Sequence, residues 1–581
     1  MKFLLTAVNA KYIHSNPAVH SLRGYVGQDL AQHVEIAEYT INQNMGDILG
    51  DIYKRRPDVI GFSCYIWNWS LIQQVIVEVH KLLPKMQIWL GGPEVSFHSE
   101  EIVAKYPMVT GIMVGEGEET FRQLMEYYVN QKGDLKDITG LVTKEGTTGI
   151  REVTDLSKIP FLYEDLQPFE NRIVYYESGR GCPFRCSYCL SSIDKTVRLR
   201  DIELVKQELQ FFLDNRLPQV KFIDRTFNCN HDHAMAIWQY ILEHDNGVTN
   251  FHFEIAADIL KEDEIELLSK MRPGLVQLEI GVQTTNTKTL SEIRRVMDID
   301  KLEKTVASLS KGHNIHLHLD LIAGLPFEDY ESFGNSFDRV YSMKPEQLQL
   351  GFLKVLKGSY MEEMAESYGL VYSSMPPYEV LYTNWLSYEQ VLRLKRIEEM
   401  VEIYYNSNQF THTLPFLEQK FESPFRMYEA LADFYEEKGY FVNSPSRSYR
   451  YQVLLDFATA VDRKREKLYK EALTFDLYLR ENMKTRPEFA RDLSEHKDWC
   501  RLFYEKEEEQ RTYLPAYVSY DRKQLAKMTH LEPFYYEVWK TPAREMKDVD
   551  GEPVYILFDY KERNPLTFEA GWTVIESCKI S

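Results

Sequence analysis

Apolar and polar positions repeat with two different periods along the first 135 residues. Short apolar runs predict strands within 3–8, 34–40, 58–66, 87–92 and 111–121. Amphipathic stretches between them, 20–30 and 70–83, have the spacing of helices. This alternation predicts a parallel sheet with helices on both faces, which is a doubly wound α/β (Rossmann-like) fold. Ligands of such sheets bind at the carboxyl ends of the strands.

The same alternation returns after a short interruption. Residues 140–153 predict a hairpin and 159–169 a connector. Beyond them, six apolar runs predict strands at 172–178, 220–227, 250–257, 275–283, 315–324 and 348–356. Helical stretches lie between these runs, for example 204–215 and 264–271. Six such units in about 190 residues favour a partial (β/α)6 barrel over an open sheet.

The strand pattern fades from about residue 375. Helical patterns occupy 387–406, 425–439 and 451–482, and 552–576 predicts a closing β element. We therefore divide the chain into an N-terminal domain 1–138, a linker 139–170, a barrel 171–370 and a mainly helical C-terminal domain 371–581.

Composition and charge narrow the class of protein. The 581 residues are 44% hydrophobic and 27% charged, which excludes a disordered or fibrous protein. Lys and Arg number 68 and Asp and Glu 88, so the net charge is 68 − 88 = −20, which argues against nucleic acid and anionic membranes as partners. No apolar run approaches the roughly 18 residues of a membrane-spanning helix. Seven cysteines, an odd and sparse number, do not suggest a disulfide framework, and we expect a cytoplasmic protein.

Three of the cysteines form the strongest motif in the chain. The segment 179–192 spaces Cys182, Cys186 and Cys189 as C-x₃-C-x₂-C. Structural zinc sites usually use four ligands in two pairs, so zinc is the weaker interpretation. Three thiolates can instead hold an iron–sulfur cluster and leave one iron open to a small molecule.

This segment resembles the signature of the radical S-adenosylmethionine (SAM) enzymes. The resemblance implies that Cys182, Cys186 and Cys189 hold a 4Fe–4S cluster, and that the open iron binds SAM, which is cleaved to a 5′-deoxyadenosyl radical. Tyr188 matches the aromatic position near the SAM adenine. The resemblance also implies an electron donor such as flavodoxin or ferredoxin.

Further matches follow in the order of the oxygen-independent coproporphyrinogen oxidase branch of that family. They imply SAM contacts from a series of strand ends: Thr226, Glu254, Gln283, Arg295 and Asp320. Asp224 and Arg225 stand where that branch has glycines, so their roles stay open.

The N-terminal domain, placed directly before such a barrel, resembles the cobalamin-binding domain of cobalamin-dependent radical SAM proteins. The similar segments, 91–96 and 115–121, make five residues candidate cobalamin contacts: Gly91, Gly92, Glu94, Gly115 and Glu116. A Gly-Gly turn lets the backbone approach a bulky ligand. The D-x-H-x-x-G motif is absent, so no cobalt-ligating histidine is expected and His14 is assigned no such role.

The combined expectation is a radical SAM enzyme with cobalamin as second cofactor that methylates an unactivated carbon or phosphorus centre. Three alternatives remain open. They are a radical rearrangement or cyclisation that uses cobalamin without methyl transfer, a methylthiotransferase-like enzyme, and a non-catalytic cofactor sensor. The sequence names neither the substrate nor the role of the C-terminal domain, which resembles the helical extension of some cobalamin-type radical SAM proteins.

Overall fold

The structure is a computed structural model that describes residues 1–193, 196–540 and 552–576. Cys578 lies outside the described residues. The chain forms two compact units, Met1–Tyr330 with Gly351–Tyr388 and Glu331–Leu350 with Glu389–Ser581. None of the helices in the described part of the chain is long and apolar enough to cross a membrane.

The first unit begins with a seven-stranded sheet. Its strands in chain order are Phe3–Asn9, Val34–Thr40, Val59–Ser63, Gln87–Gly91, Val109–Met113, Leu141–Thr143 and Gly146–Thr147. The second strand lies at one edge, beside the first, and the third to seventh follow in order. The first five strands are parallel and the last two add an antiparallel hairpin. The helices around the sheet are Pro17–Tyr25, Gln28–Ala31, Met45–Arg55, Trp69–Leu82, Pro93–Ser96, Ser99–Lys105 and Glu118–Asn130.

Both faces of this sheet are covered by apolar cores. Along the first strand, Leu4 and Val8 join one core while Phe3 and Leu5 join the other. A parallel strand buried on both faces has a nearly continuous apolar sequence, as the run 3–8 does. The predicted doubly wound domain is confirmed.

The second sheet of the first unit is the predicted partial barrel. Its strands within the first unit are Val174–Tyr176, Gln219–Phe222, Asn250–Ile255, Val276–Gln283 and His316–Ala323, which lie side by side in chain order, and the sixth strand, Gln347–Phe352, crosses the division between the units. The helices that follow successive strands are Ile202–Asp214, His231–Glu243, Glu262–Ser269, Thr287–Glu292, Ile299–Ser310 and Tyr330–Ser342. A short hairpin, Gly179–Arg180 with Arg198–Leu199, brackets the cysteine motif.

The central strand Val276–Gln283 of the second sheet alternates strictly between buried and partly exposed residues. In Val276–Gln283, Leu278 and Ile280 are fully or almost fully buried, whereas Glu279 and Gln283 are only partly buried. One face of the sheet is therefore apolar and packed, and the other carries polar side chains.

The second unit is mainly helical. Its helices after the barrel are Tyr388–Met400, Thr413–Glu418, Pro424–Glu437, Tyr449–Val461, Glu466–Arg480, Lys497–Gln510 and Arg522–Met528, and a π-helix, Val401–Asn406, extends the first of them. Three antiparallel strands complete the unit: Thr529–Phe534, Val554–Arg563 and Ala570–Ile575. The last two are the predicted closing β element, and the first of the three was not predicted.

One helix prediction in this unit is wrong. The run 451–482 is two helices, because Asp462 leaves the helical conformation with φ −141°. The carboxylate of Asp462 lies 2.8 Å from the Lys420 ammonium and also contacts Arg465. These tertiary partners stabilise a break in the helix that the helical periodicity of the segment does not reveal.

Candidate functional site

The three cysteines of the motif lie on one loop at the carboxyl end of the first barrel strand. Cys182 and Cys186 are buried and Cys189 is partly exposed. All three are free thiols. The Cys189 N–H donates to the Cys186 carbonyl at 3.1 Å, which closes the loop around the motif. Free thiols on one tight loop suit a shared metal group.

Two residues from other strand ends reach these thiols. The Thr226 hydroxyl lies 3.5 Å from the Cys182 sulfur, and Arg295 Nη1 donates to the Cys186 sulfur at 3.4 Å. Burial raises the pKa of Tyr188, whose ring packs beside the apolar cluster around Ile293. A cation beside a thiolate stabilises its negative charge. The predicted Thr226, Tyr188 and Arg295 therefore converge on the cysteine loop.

Asp224 holds the start of that loop. Its carboxylate accepts hydrogen bonds from the Ser178 N–H at 3.0 Å and from the Ser178 hydroxyl at 2.7 Å. His233 Nε2 lies 3.2 Å from the same hydroxyl. Burial raises the pKa of Asp224 to about 7. This residue replaces a glycine of the related branch, and the structure places it as an anchor of the backbone before the cysteines.

Gln283 is held in an unusual conformation at the end of its strand. Its φ is +72°, in the left-handed region, and the ladder to the next strand shifts register between Gly281 and Gln283. Its Oε1 is buried and has no hydrogen-bond partner within the described parts of the chain. Arg295 Nη2 donates to the Gly281 carbonyl directly beneath. Strain together with an unused buried acceptor is typical of a ligand site.

Two predicted carboxylates lie on the polar face near Gln283. Burial raises the pKa of Glu254 to about 7, and its nearest cation, Arg225, lies 3.9 Å away. Burial also raises the pKa of Asp320, which lies 3.1 Å from His318 Nε2. Titratable side chains whose pKa values are shifted from their ordinary values are common around the clefts of functional sites.

The same face also carries an ion cluster that was not predicted. Lys221 donates to Glu279 at 3.2 Å, and His252 Nε2 lies 3.0 Å from the same carboxylate. Burial alone would raise the pKa of Glu279, but His252 and Lys221 hold it at about 2. The alternation in FHFE, QLEIG and HLHLD could have revealed these residues, since every second position is polar.

A cavity of about 560 Å³ lies at the carboxyl ends of the N-terminal strands, and residues of the linker and the barrel, such as Phe161 and Tyr176, form the rest of its wall. Four of the five predicted cobalamin contacts line it: Gly91, Gly92, Gly115 and Glu116. Gly92 has φ +109°, and a Cβ there would lie 2.5 Å from the Cys64 carbonyl oxygen, so the backbone is packed as closely as glycine permits. Apolar side chains such as Leu5, Phe62 and Met113 complete the lining, which suits the faces of a large macrocycle.

Glu94, the fifth predicted contact, bonds elsewhere. Its carboxylate accepts from Lys357 Nζ at 2.9 Å and from the Tyr378 hydroxyl. His14 Nδ1 lies 2.6 Å from the Tyr175 hydroxyl, and burial lowers its pKa. The roles of Glu94 and of the other site residues in cofactor binding remain predictions.

Comparison with known families divides the chain in the same order. Residues 4–125 match the B12 binding domain, 176–340 match the radical SAM superfamily, and 366–558 match a family described as a protein of unknown function, DUF4080. The predicted cofactors, a 4Fe–4S cluster, SAM and cobalamin, are confirmed at the level of these domains.

The relatives are distant. The cobalamin-dependent radical SAM methyltransferase TokK of Streptomyces tokunonensis is 25% identical over 54% of this chain and 50% of its own length. The anaerobic magnesium-protoporphyrin IX monomethyl ester cyclase of Synechocystis is 24% identical over 44% of this chain and 54% of its own. The chain thus spans about half the length of each.

A solved structure has the same fold. The cobalamin-dependent SAM radical enzyme OxsB with aqua-cobalamin bound is 15% identical, covers 81% of this chain and 80% of its own, and has a TM-score of 0.56. The domain order, the cysteine loop and the three family matches agree with one another. The chain therefore contains, in this order, a region that matches the B12 binding domain, a region that matches the radical SAM superfamily and a region that matches DUF4080.

Proposed function

We propose that this protein is a cobalamin-dependent radical SAM methyltransferase that acts on an unactivated carbon or phosphorus centre. The observation that supports it most directly is the continuity of the two sites. Leu190 follows the third cysteine, Cys189, and lines the cavity of the N-terminal domain. A cluster on the cysteine loop and a cobalamin in the cavity would therefore be neighbours.

When bound, the three groups supply an electron, a radical source and a methyl carrier. The chain's own residues hold and orient them. Cys182, Cys186 and Cys189 would bind the cluster, while the hydrogen-bonding groups of Gln283, Glu254 and Asp320 would bind the hydroxyl and amino groups of SAM. Gly91, Gly92 and Gly115 leave room for the macrocycle.

The test is cofactor-dependent turnover of SAM by the anaerobically reconstituted full chain. With a reductant and hydroxocobalamin, we expect S-adenosylhomocysteine, the product of methyl donation, in an amount that follows the bound cobalamin. Protein reconstituted without cobalamin is the control. Formation of neither S-adenosylhomocysteine nor 5′-deoxyadenosine, despite full loading, would contradict an enzymatic role and favour the cofactor sensor.

A radical cyclisation that uses cobalamin without methyl transfer is the second candidate, because one relative is a cyclase by name. The same experiment separates the two. Cyclisation requires 5′-deoxyadenosine without S-adenosylhomocysteine, whereas methyl transfer requires both.

The reaction also requires a substrate and an electron donor. The polar face of the barrel, with Lys221, His252, Glu279 and His318, supports a substrate that carries hydrogen-bonding or charged groups. For the donor we propose a low-potential protein such as flavodoxin or ferredoxin, and for the location the cytoplasm.

A further inference from the structure

An arginine beside the cluster loop binds two carboxylates of the N-terminal domain. Arg180 stands two residues before Cys182, and its Nη2 donates to Glu118 at 3.0 Å. Its Nη1 lies 3.4 Å from Glu116. The same guanidinium donates to Glu177, on its own loop, at 2.9 and 2.7 Å. One side chain thus joins residues on either side of the predicted linker.

A second arginine and a backbone amide fix the position of Glu116. Arg198 Nη2 lies 2.6 Å from Glu116 Oε1, and the Thr154 N–H donates to Oε2 at 2.6 Å. The Glu116, Glu118 and Arg180 side chains are only 17%, 7% and 23% exposed. Charges withdrawn from water in this way need their partners, so the arrangement resists rearrangement. We call Glu116, Glu118, Arg180 and Arg198 the clamp.

The clamp adjoins both cofactor sites. Glu116, Glu118 and Arg180 all line the cavity of the N-terminal domain. Gly181, between Arg180 and Cys182, has φ +93°, and a Cβ there would overlap the Thr196 carbonyl oxygen. The backbone from the clamp to the first cysteine is therefore held in one conformation. A displacement of Arg180 would therefore move both the cavity wall and the cysteine loop.

We propose that Arg180 is a positioning residue that sets the separation and orientation of cobalamin relative to the iron–sulfur cluster. This role rests on the proposed function, since it requires both groups. Its chemistry explains why an arginine is needed: the planar guanidinium presents five donors and can serve three carboxylates, whereas a lysine offers a single charged centre.

The test is the magnetic interaction between the two cofactors in the full chain. Cob(II)alamin and the reduced cluster are both paramagnetic, and their dipolar coupling falls with the cube of their separation. In Arg180→Gln, at equal iron and cobalt content, we expect the relaxation enhancement of the cob(II)alamin EPR signal to become smaller, or to vary more widely among the molecules of the sample. Arg180→Lys should restore part of it, and cobalamin binding in Arg180→Gln should weaken about tenfold, as for one charge-assisted hydrogen bond.

Arg122→Gln is the matched control. Arg122 also binds two carboxylates, Glu119 and Glu126, but all three lie on the single helix Glu118–Asn130. The relaxation enhancement of the cob(II)alamin signal in Arg122→Gln should equal that of the wild-type protein. Equal enhancement in Arg180→Gln at full loading would overturn the positioning role. Loss of cobalamin from folded, iron-loaded Arg180→Gln, but not from Arg122→Gln, would support it. Wild-type protein that binds no cobalamin would instead refute the proposed function, before any variant is made.

Discussion

The two parallel sheets of the first unit differ in the faces that they bury. The open sheet is apolar on both faces, and the cavity lies at the edge where its strands end. The barrel sheet is apolar on one face and charged on the other, with Glu279 and Asp320 on the charged face. Barrel interiors are commonly packed with branched apolar side chains. A polar interior indicates a reaction chamber, whereas a two-sided apolar sheet indicates a rigid platform.

The largest effect that separates the two regions is expected from the triple variant Cys182→Ala, Cys186→Ala and Cys189→Ala. It should abolish the visible absorbance of the cluster after anaerobic reconstitution. The N-terminal sheet should stay folded, because its two apolar cores lie within its own elements. Circular dichroism and iron analysis provide the measurement, with Cys500→Ala as control. Full iron loading of the triple variant would refute the cluster site.

The charged face should lose much more stability than the apolar face when a polar residue is replaced by an apolar one. Glu279→Leu leaves Lys221 and His252 without their carboxylate and should lower the free energy of unfolding by about 3 kcal/mol. Thr6→Val in the open sheet removes a buried hydroxyl that has no partner in the described residues, and should change the free energy of unfolding by less than about 1 kcal/mol. Denaturant titration measures both. Similar losses would mean that the faces do not differ energetically.

The edge of the open sheet is best tested at its glycines. Gly92→Ala places a Cβ against the Cys64 carbonyl in a left-handed conformation, and should cost about 2 kcal/mol more than Gly115→Ala, whose Cβ meets open space at φ +81°. Hydroxocobalamin binding should fall mainly in Gly92→Ala. Equal binding by the two variants would show that close backbone approach at Gly92 is not required.

At the barrel edge, loss of a single ligand group should have a smaller effect. Gln283→Ala or Asp320→Ala should weaken SAM binding about fivefold each, the value of about one hydrogen bond, without loss of iron. Gln239→Ala, on the helix His231–Glu243, is the control because its amide donates to Glu243 of the same helix, outside the barrel edge. Calorimetry on the iron-loaded protein measures the affinity. Unchanged affinity in both barrel variants would contradict their predicted role.

The smallest effect concerns pH. Because the pKa of Glu254 is raised to about 7, its carboxylate is ionised, and accepts hydrogen bonds best, only above that value. SAM affinity should rise about threefold from pH 6 to pH 8, and Glu254→Gln should remove this dependence. The free energy of unfolding depends on pH in the opposite direction. The folded protein holds this proton more tightly than the unfolded chain, so the stabilisation is present below about pH 4.5 and is lost as pH rises through 7.

Local patterns were sufficient for much of the molecule. The apolar runs located eleven strands of the two large sheets and the order of the elements, because a buried parallel strand must be apolar wherever it occurs. The spacing of Cys182, Cys186 and Cys189 needs no tertiary information, since three ligands of one group must lie close together. The two-residue alternation of VQLEIGVQ also indicates the polar face of the barrel.

The tertiary structure decided how distant charges combine. Glu94 and Glu116 stand in similar glycine-rich segments, yet Glu94 meets Lys357 and Glu116 meets Arg180 and Arg198. The break at Asp462 likewise depends on Lys420, which lies 42 residues away in the chain. Secondary structure follows from the spacing of neighbours, but the partner of a charge is set by which loops the fold brings to the same edge. For that reason the sequence by itself determined the fold class and predicted the candidate cluster ligands, and only the folded chain revealed the clamp.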